Sequence, residues 1–429
     1  MSSSSTAQIE NPEIIEHELV NGLKVLTKEV HTAPVVSTYI WYKVGARNEH
    51  PGITGVSHWV EHMLFKGTPK FPKNELKRVI EGNGGRWNGF TGMDYTAYYE
   101  TLPADKVSIA LALEGDRMKN SVFDPDEVES ERTVILSERE GAENSPEFIL
   151  WEDVQATAYK AHPYQWGIIG WVSDLKSMTR DELYNHYQKH YVPNNATLVV
   201  VGDFNTAALM KQVEEHFANL PRGEAIAGPK TIEPKQPGER RVTIRKEGNL
   251  AYVAIAYHIP AAGHPDLYPL GVLSTVMSSG KTSRLYRALV DKQLATSAYF
   301  DDGFSKDAGL AWAFAEACTG IDPSTLEAAL REQFNRVQND LITEAELEKA
   351  INQTMARFVF SFDSVSDQAS QIGYYETLVS YKYLETRLNK VRSVTREQIR
   401  EVAQKYLTED NRTIGHFQPI LPGDGKRTN

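Results

Sequence analysis

SMTRDELYNHYQKHYVPNNAT, residues 177–197, returns near the end of the chain as SVTREQIREVAQKYLTEDNRT, residues 393–413. The offset is 216 positions (393 − 177) without a gap, and Thr179/Thr395, Arg180/Arg396, Gln188/Gln404, Lys189/Lys405 and Asn195/Asn411 coincide. A second match pairs YKVGARNEHPG, containing His50-Pro51, with YHIPAAGHPD, containing His264-Pro265, at an offset of 214. Two distant matches at nearly one offset point to a duplicated unit.

Between the copies, residues 221–239 (PRGEAIAGPKTIEPKQPGE) are dense in Pro and Gly and lack hydrophobic periodicity, which reads as a linker. The expected division is a first half over 1–220, a linker over 221–239 and a second half over 240–429. Strand-like runs at 35–44, 197–201, 242–244 and 251–259 mix with helices opened by capping boxes at Thr179/Glu182, Thr343/Glu346 and Thr395/Gln398. The strands lack regular βαβ spacing, so the pattern favours an α+β fold over a doubly wound one.

The chain has 429 residues, 41% hydrophobic and 24% charged, with a net charge of -11 and one cysteine. That composition suits a folded globular protein without a membrane span, and the acidic balance argues against a nucleic-acid partner. The start, MSSSSTAQIENPEIIEHE, has neither a basic and apolar leader pattern nor arginines, so a disordered Ser-rich start and a cytoplasmic location are expected. A lone Cys318 excludes a multi-cysteine metal site. Any metal must sit on His and carboxylates.

His58-Trp59-Val60-Glu61-His62, in GVSHWVEHMLFKGT, supplies such a set. On a helix, positions i, i+3 and i+4 share a face, so both imidazoles and the carboxylate project into one small volume. Two neutral imidazoles suit Zn²⁺, and a carboxylate beside them can take the proton of an attacking water; His-x-x-Glu-His is the inverted zincin order. From the motif alone an ordinary helix face stays open as the alternative. A third ligand is available 76 residues beyond His62, in DPDEVESERTVILSEREGAENSPE, where Glu131 and Glu138 lie two helical turns apart on one face. Glu138 follows Val134-Ile135-Leu136, which places it where the chain leaves the core; Glu127, Glu129, Glu140 and Glu143 read as a solvated acidic face.

These residues resemble the pitrilysin (insulinase) family of zinc peptidases, particularly the short-chain branch that includes the mitochondrial processing peptidase. The inverted helix motif, the Glu-Arg-x-x-x-x-x-Glu segment and the duplicated α+β half together span the whole chain. The resemblance implies a zinc endopeptidase built from two similar α/β-sandwich halves, forming half of a clamshell. It makes His58, His62 and Glu138 the zinc ligands, Glu61 the general base and Glu131 a supporting group.

GNGGRWNGFTGMDYTAYYETLP places glycines beside alternating polar and aromatic residues, which suits an edge strand open to close backbone approach, although a plain hairpin shares the pattern. By the resemblance this strand holds an extended peptide through Asn88, Gly89 and Phe90, with broad specificity because main-chain pairing makes little sequence demand.

At the offset of 214, His58, Glu61 and His62 fall on Val272, Thr275 and Val276, so the second half cannot bind zinc in the same way. Active members of the family usually carry an Arg and a Tyr seven positions apart in that half. Here the nearest register gives Leu289 and Thr296, with Arg287 and Tyr299 wrongly spaced. The resemblance therefore implies a zinc-bearing subunit whose homologous partner supplies Arg and Tyr, or else a homodimer using other groups. Two rival readings are a non-catalytic scaffold of the respiratory-complex type and a processing peptidase selective for basic leader peptides, the latter suggested by the acids through Glu147 and Glu152. His186 and His190 are also i and i+4, but no carboxylate stands between them and their counterparts are Val402 and Tyr406, so they read as helix packing. His162 opens an aromatic and glycine-rich loop.

Overall fold

The computed structural model describes residues 13–420; the Ser-rich first twelve residues lie outside the described residues. In the first half, β1 (Ile15–Glu18), β2 (Lys24–Glu29) and β3 (Val35–Tyr42) precede α1 (Val56–Leu64) and α2 (Lys73–Glu81). The hairpin β4 (Arg86–Thr91) and β5 (Thr96–Pro103) follows, then α3 (Val107–Asn120), α4 (Pro125–Ala142) and α5 (Pro146–Ala158). The half ends with α6 (Val172–Ser177), α7 (Arg180–His190), β6 (Ala196–Gly202) and α8 (Thr206–Phe217). The second half runs β7 (Arg240–Glu247), β8 (Tyr252–Ile259), α9 (Leu267–Ser278), β9 (Ala295–Asp301), β10 (Gly309–Ala317) and α10 (Pro323–Asn339). It closes with α11 (Glu344–Phe360), α12 (Val365–Leu378), α13 (Tyr383–Arg392), α14 (Arg396–Tyr406) and β11 (Arg412–Ile420).

The first sheet has the order β1-β2-β6-β3-β5-β4 and the second β7-β11-β8-β10-β9, so apart from β1 they correspond strand for strand. Each contains one parallel pair, β2 with β6 and β7 with β11, in otherwise antiparallel sheets. The registers agree as well: Thr197 stands opposite Lys24 and Trp41, and Thr413 opposite Arg240 and Ala256. The two α/β halves expected from the repeat are therefore the observed architecture. All three expected capping boxes form, and a fourth, Ser364 with Asp367, opens α12. Its acid is an aspartate, which the Glu/Gln pattern does not select.

Both faces of each sheet are covered, which is why β6 is apolar almost throughout and buried along its whole length. One face of the first sheet packs on its own helices through residues such as Trp59, Val60, Leu111, Ile135 and Leu183. The other face takes α12 from the second half, whose Ala369, Ile372 and Tyr375 meet Leu26, Tyr39, Trp41 and Val199. The exchange is reciprocal. Leu150, Val154 and Ala158 of α5 cover Ala254, Ala256 and Phe417 of the second sheet. Each seam needs a glycine: a Cβ on Gly373 would lie 1.9 Å from the Trp41 indole nitrogen, and one on Gly415 would lie 2.2 Å from Val154.

Residues 221–239 contain no helix or strand, yet they are tied down. The Glu233 carboxylate accepts the backbone N–H groups of Lys160, Ala161 and His162 at 2.8, 2.9 and 3.0 Å. Buried Gln236 donates to the Arg412 carbonyl at 2.7 Å. The segment is a strap across both halves, and Pro and Gly there break regular structure without leaving the chain loose.

Overpacking a seam of this kind costs about 1–3 kcal/mol. Gly373→Val is expected to lower the thermal unfolding midpoint of the full chain measurably; an unchanged midpoint would show that α12 is free to move away from Trp41.

Candidate metal centre

The centre is built on α1. Its buried side, Val56, Trp59, Val60 and Met63, enters the first core, which turns His58, Glu61 and His62 toward α4 and β4. Gly55 begins the helix at φ +87°, where a Cβ would lie 2.0 Å from the Ile169 carbonyl oxygen. Two carboxylates satisfy the free donors at this end. Glu49 accepts from Gly55 and Ser57 at 2.7 and 2.9 Å, and Asp174 accepts from the backbone of Gly52 and Thr54 at 3.0 and 3.2 Å and from the Thr54 hydroxyl at 2.7 Å. Burial pushes the Glu49 carboxyl up to about 8 against the pull of its two N–H donors.

His58 Nε2 and His62 Nε2 are 3.2 Å apart, and Glu138 Oε2 lies 3.8 and 3.7 Å from them. Tetrahedral zinc with bonds of 2.0–2.1 Å holds its donors about 3.4 Å from one another, so the three atoms fit one ion. His62 Nδ1 lies 2.8 Å from Glu131 Oε1, and Lys66 Nζ bonds the other Glu131 oxygen. Burial alone would raise the Glu131 carboxyl, but the bonds from His62 and Lys66 carry it down to about 2, so it is an acceptor and Nδ1 of His62 must carry the proton. In the neutral imidazole this fixes Nε2, on the side of the common point, as the lone-pair nitrogen, which is the tautomer a metal needs. His58 is held neutral by burial and then by its histidine neighbour, which push it down to about 4; its buried Nδ1 has no partner among the described residues. His62 would be lowered by burial, but Glu131, Glu138 and Glu61 outweigh this and raise it.

Glu61 is 7% exposed, and burial raises its carboxyl despite a 2.6 Å hydrogen bond from the Thr91 hydroxyl. Thr91 is the last residue of β4, which lies at the edge of the first sheet with β5 on one side only. Along this strand Asn88, Gly89 and Phe90 stand opposite Tyr99, Tyr98 and Ala97. Asn88 is exposed, Gly89 closely approaches the Tyr98 and Phe65 rings, and half-buried Phe90 packs edge-on against Trp41 at 5.5 Å and Tyr95 at 6.0 Å. The structure thus brings His58, Glu61, His62, Glu131 and Glu138 together and joins them to the edge strand through Thr91.

Some expectations change. Val134-Ile135-Leu136 is not a core exit: α4 continues to Ala142, Ile135 alone of the three is buried, and Glu138 sits within the helix, 43% exposed at its side chain. The acidic face is largely paired, with Glu127 on Lys73, Glu129 on Arg132 and Glu143 on Arg139. Glu152 is buried in a two-pronged pair with Arg139 at 2.5 and 2.6 Å, so it cannot receive a substrate cation without breaking that pair. Buried His186 reaches the Ser57 hydroxyl at 3.2 Å and stacks near His190, a packing role. His162 accepts from Tyr164 N–H and lies 3.1 Å from Asp307, which binds its loop to the second half. Leu289 is buried in the second core, Thr296 donates to Glu316 and Tyr299 donates to Glu147. Glu49, Lys66, Thr91 and Asp174 were missed. An acid ahead of α1, Glu49, and a hydroxyl ending an edge strand, Thr91, were the only signals, and neither is specific.

Two family models match the chain. One described as "Insulinase (Peptidase family M16)" matches residues 24–170, and one described as "Peptidase M16 inactive domain" matches residues 177–354. The zinc protease PqqE of Helicobacter pylori is 31% identical over 381 residues, covering 87% of this chain and 86% of that protein. The mitochondrial-processing peptidase subunit beta of Lentinula edodes is 28% identical over 423 residues, 94% of this chain and 89% of that one. A crystal structure of a protease from Helicobacter pylori superposes with a TM-score of 0.92 at 30% identity, covering 95% of this chain and 100% of the other.

Removing the carboxylate that orients a metal-binding histidine typically weakens metal affinity about 10–100-fold. Glu131→Gln is expected to do so in a competition titration with a chromophoric chelator, and unchanged affinity would remove Glu131 from the site.

Proposed function

The chain belongs to the insulinase (M16) family of peptidases, and on that premise we propose that it is a zinc-dependent endopeptidase acting on extended polypeptides. The observation that carries this reading is the convergence of His58, His62 and Glu138 on one point, with the Glu61 carboxylate beside it and tethered to the edge strand.

His58, His62 and Glu138 would hold the ion, one per chain. Zinc there supplies Lewis acidity, making water a nucleophile near neutral pH and polarising the scissile carbonyl. Glu61 takes the proton of the attacking water and later returns it to the leaving amine. Its raised carboxyl suits both transfers, since an ordinary carboxylate would hold a proton too weakly to pass it on. The substrate lies as an added strand on β4, its backbone paired with the free edge near Asn88 and Gly89 and one side chain against Phe90.

Leu289 and Thr296 leave the second half without the Arg–Tyr pair in the expected register. We therefore read the chain as the zinc-bearing member of a heterodimer, with a homologous subunit supplying those groups; a relative named as a subunit supports this over a homodimer. The intact donor set speaks against a scaffold role, and the Glu152–Arg139 pair speaks against selection for basic leaders.

Glu61→Gln is expected to keep zinc and lose turnover by about 10²-fold or more, whereas His58→Ala loses both; equal zinc loss in the two variants would contradict this division. The isolated chain is expected to cleave peptides poorly and to gain chelator-sensitive activity with an Arg/Tyr-bearing homologue. Full activity alone would sink the heterodimer.

A further inference from the structure

The seam between α9 and α11 is the second half's counterpart of the seam between α1 and α4, and its fate can be followed residue by residue. Asp124 and Thr343 cap α4 and α11, which places Ala350 opposite Glu131 and Arg357 opposite Glu138 in the repeat. Thr275 and Val276 replace Glu61 and His62. Where Glu61, His62 and Glu131 give way to the smaller Thr275, Val276 and Ala350, there is a cavity of about 420 Å³, walled by these three and by Thr282, Arg287 and Lys349.

Its charge is inverted relative to the metal centre. Arg287 is exposed and makes no ion pair or side-chain hydrogen bond among the described residues. Lys349 Nζ donates to the Thr282 hydroxyl and, among the described residues, to no carboxylate, which leaves two ammonium protons and the Thr282 proton available. Arg357 donates to the Thr275 hydroxyl and, at 3.2 Å, to Ser279, also without an acid. Glu346 is the acid on this wall, and Arg284 engages it with two bonds of 2.8 and 3.0 Å. Among the described residues these cations have no acidic partner, in a chain of net charge -11.

We propose that this seam is an oxyanion-binding site that takes a carboxylate or phosphate group, using Arg287, Lys349 and the Thr282 hydroxyl. Planar guanidinium and ammonium donors around one hydroxyl match an anion with several acceptor oxygens. The site needs neither zinc nor peptidase activity.

The test uses the metal-free full chain at constant ionic strength, titrated separately with inorganic phosphate and with succinate, and follows thermal unfolding. Saturable stabilisation is expected with at least one probe, and the probe that succeeds tells a phosphate-bearing from a carboxylate-bearing ligand. Arg287→Ala and Lys349→Ala should each weaken it about tenfold or more, while Lys77→Ala on α2 leaves it unchanged. Unfolding in chloride alone checks that the variants fold as the parent does. Stabilisation that never saturates, or that persists in the Arg287→Ala/Lys349→Ala double variant, overturns the site and marks a general salt effect.

Discussion

Everything in this molecule depends on two sheets that are apolar on both faces and therefore need covering twice. Each half supplies helices for one face of its own sheet, and the exchange of α5 and α12 covers the others. That packing reaches the candidate metal centre directly. α4, which carries Glu131 and Glu138, ends at Ala142, and α5 begins at Pro146. The helix presenting two of the centre's carboxylates is thus held at one end by α1 and at the other by a helix docked on the opposite half. The buried Arg139–Glu152 pair fastens the corner between them.

The duplication, the inverted motif and the edge strand were legible because each is a local pattern or a repeat of one. Thr179/Glu182 and Thr395/Gln398 announced equivalent helices 216 positions apart. The exchange of α5 and α12 was not legible: PEFILWEDVQATA shows a helix with apolar residues but nothing that says which sheet they meet. The supporting groups escaped for a related reason. Asp174 lies far along the chain from the helix it caps, and Thr91 became distinctive only once β4 placed its hydroxyl against Glu61. Ion pairing hid in the same way, since Glu152 reads as a free acid until Arg139 is found beside it.

The repeat also places side chains of opposite charge at equivalent seams of one scaffold. Sheet order and register are kept between the halves, while the side chains facing the seam beside the first long helix have diverged completely. In the first half they are imidazoles and carboxylates in a closely bonded group; in the second they are threonines, arginine and lysine around an opening. Three of the replacements, Val272, Val276 and Ala350, are buried in the second core, so the seam that is polar in the first half is partly apolar in the second.

The reciprocal crossover, together with the strap that binds Glu233 and Gln236 to both halves, has a mechanical consequence. A hinge between the halves would have to peel α5 from one sheet and α12 from the other at once, uncovering two apolar faces. Relative motion of the two halves therefore carries the cost of exposing both seams. The free edge of β4, whose Phe90 packs into the α12 seam, is accordingly held in shape by side chains from both halves.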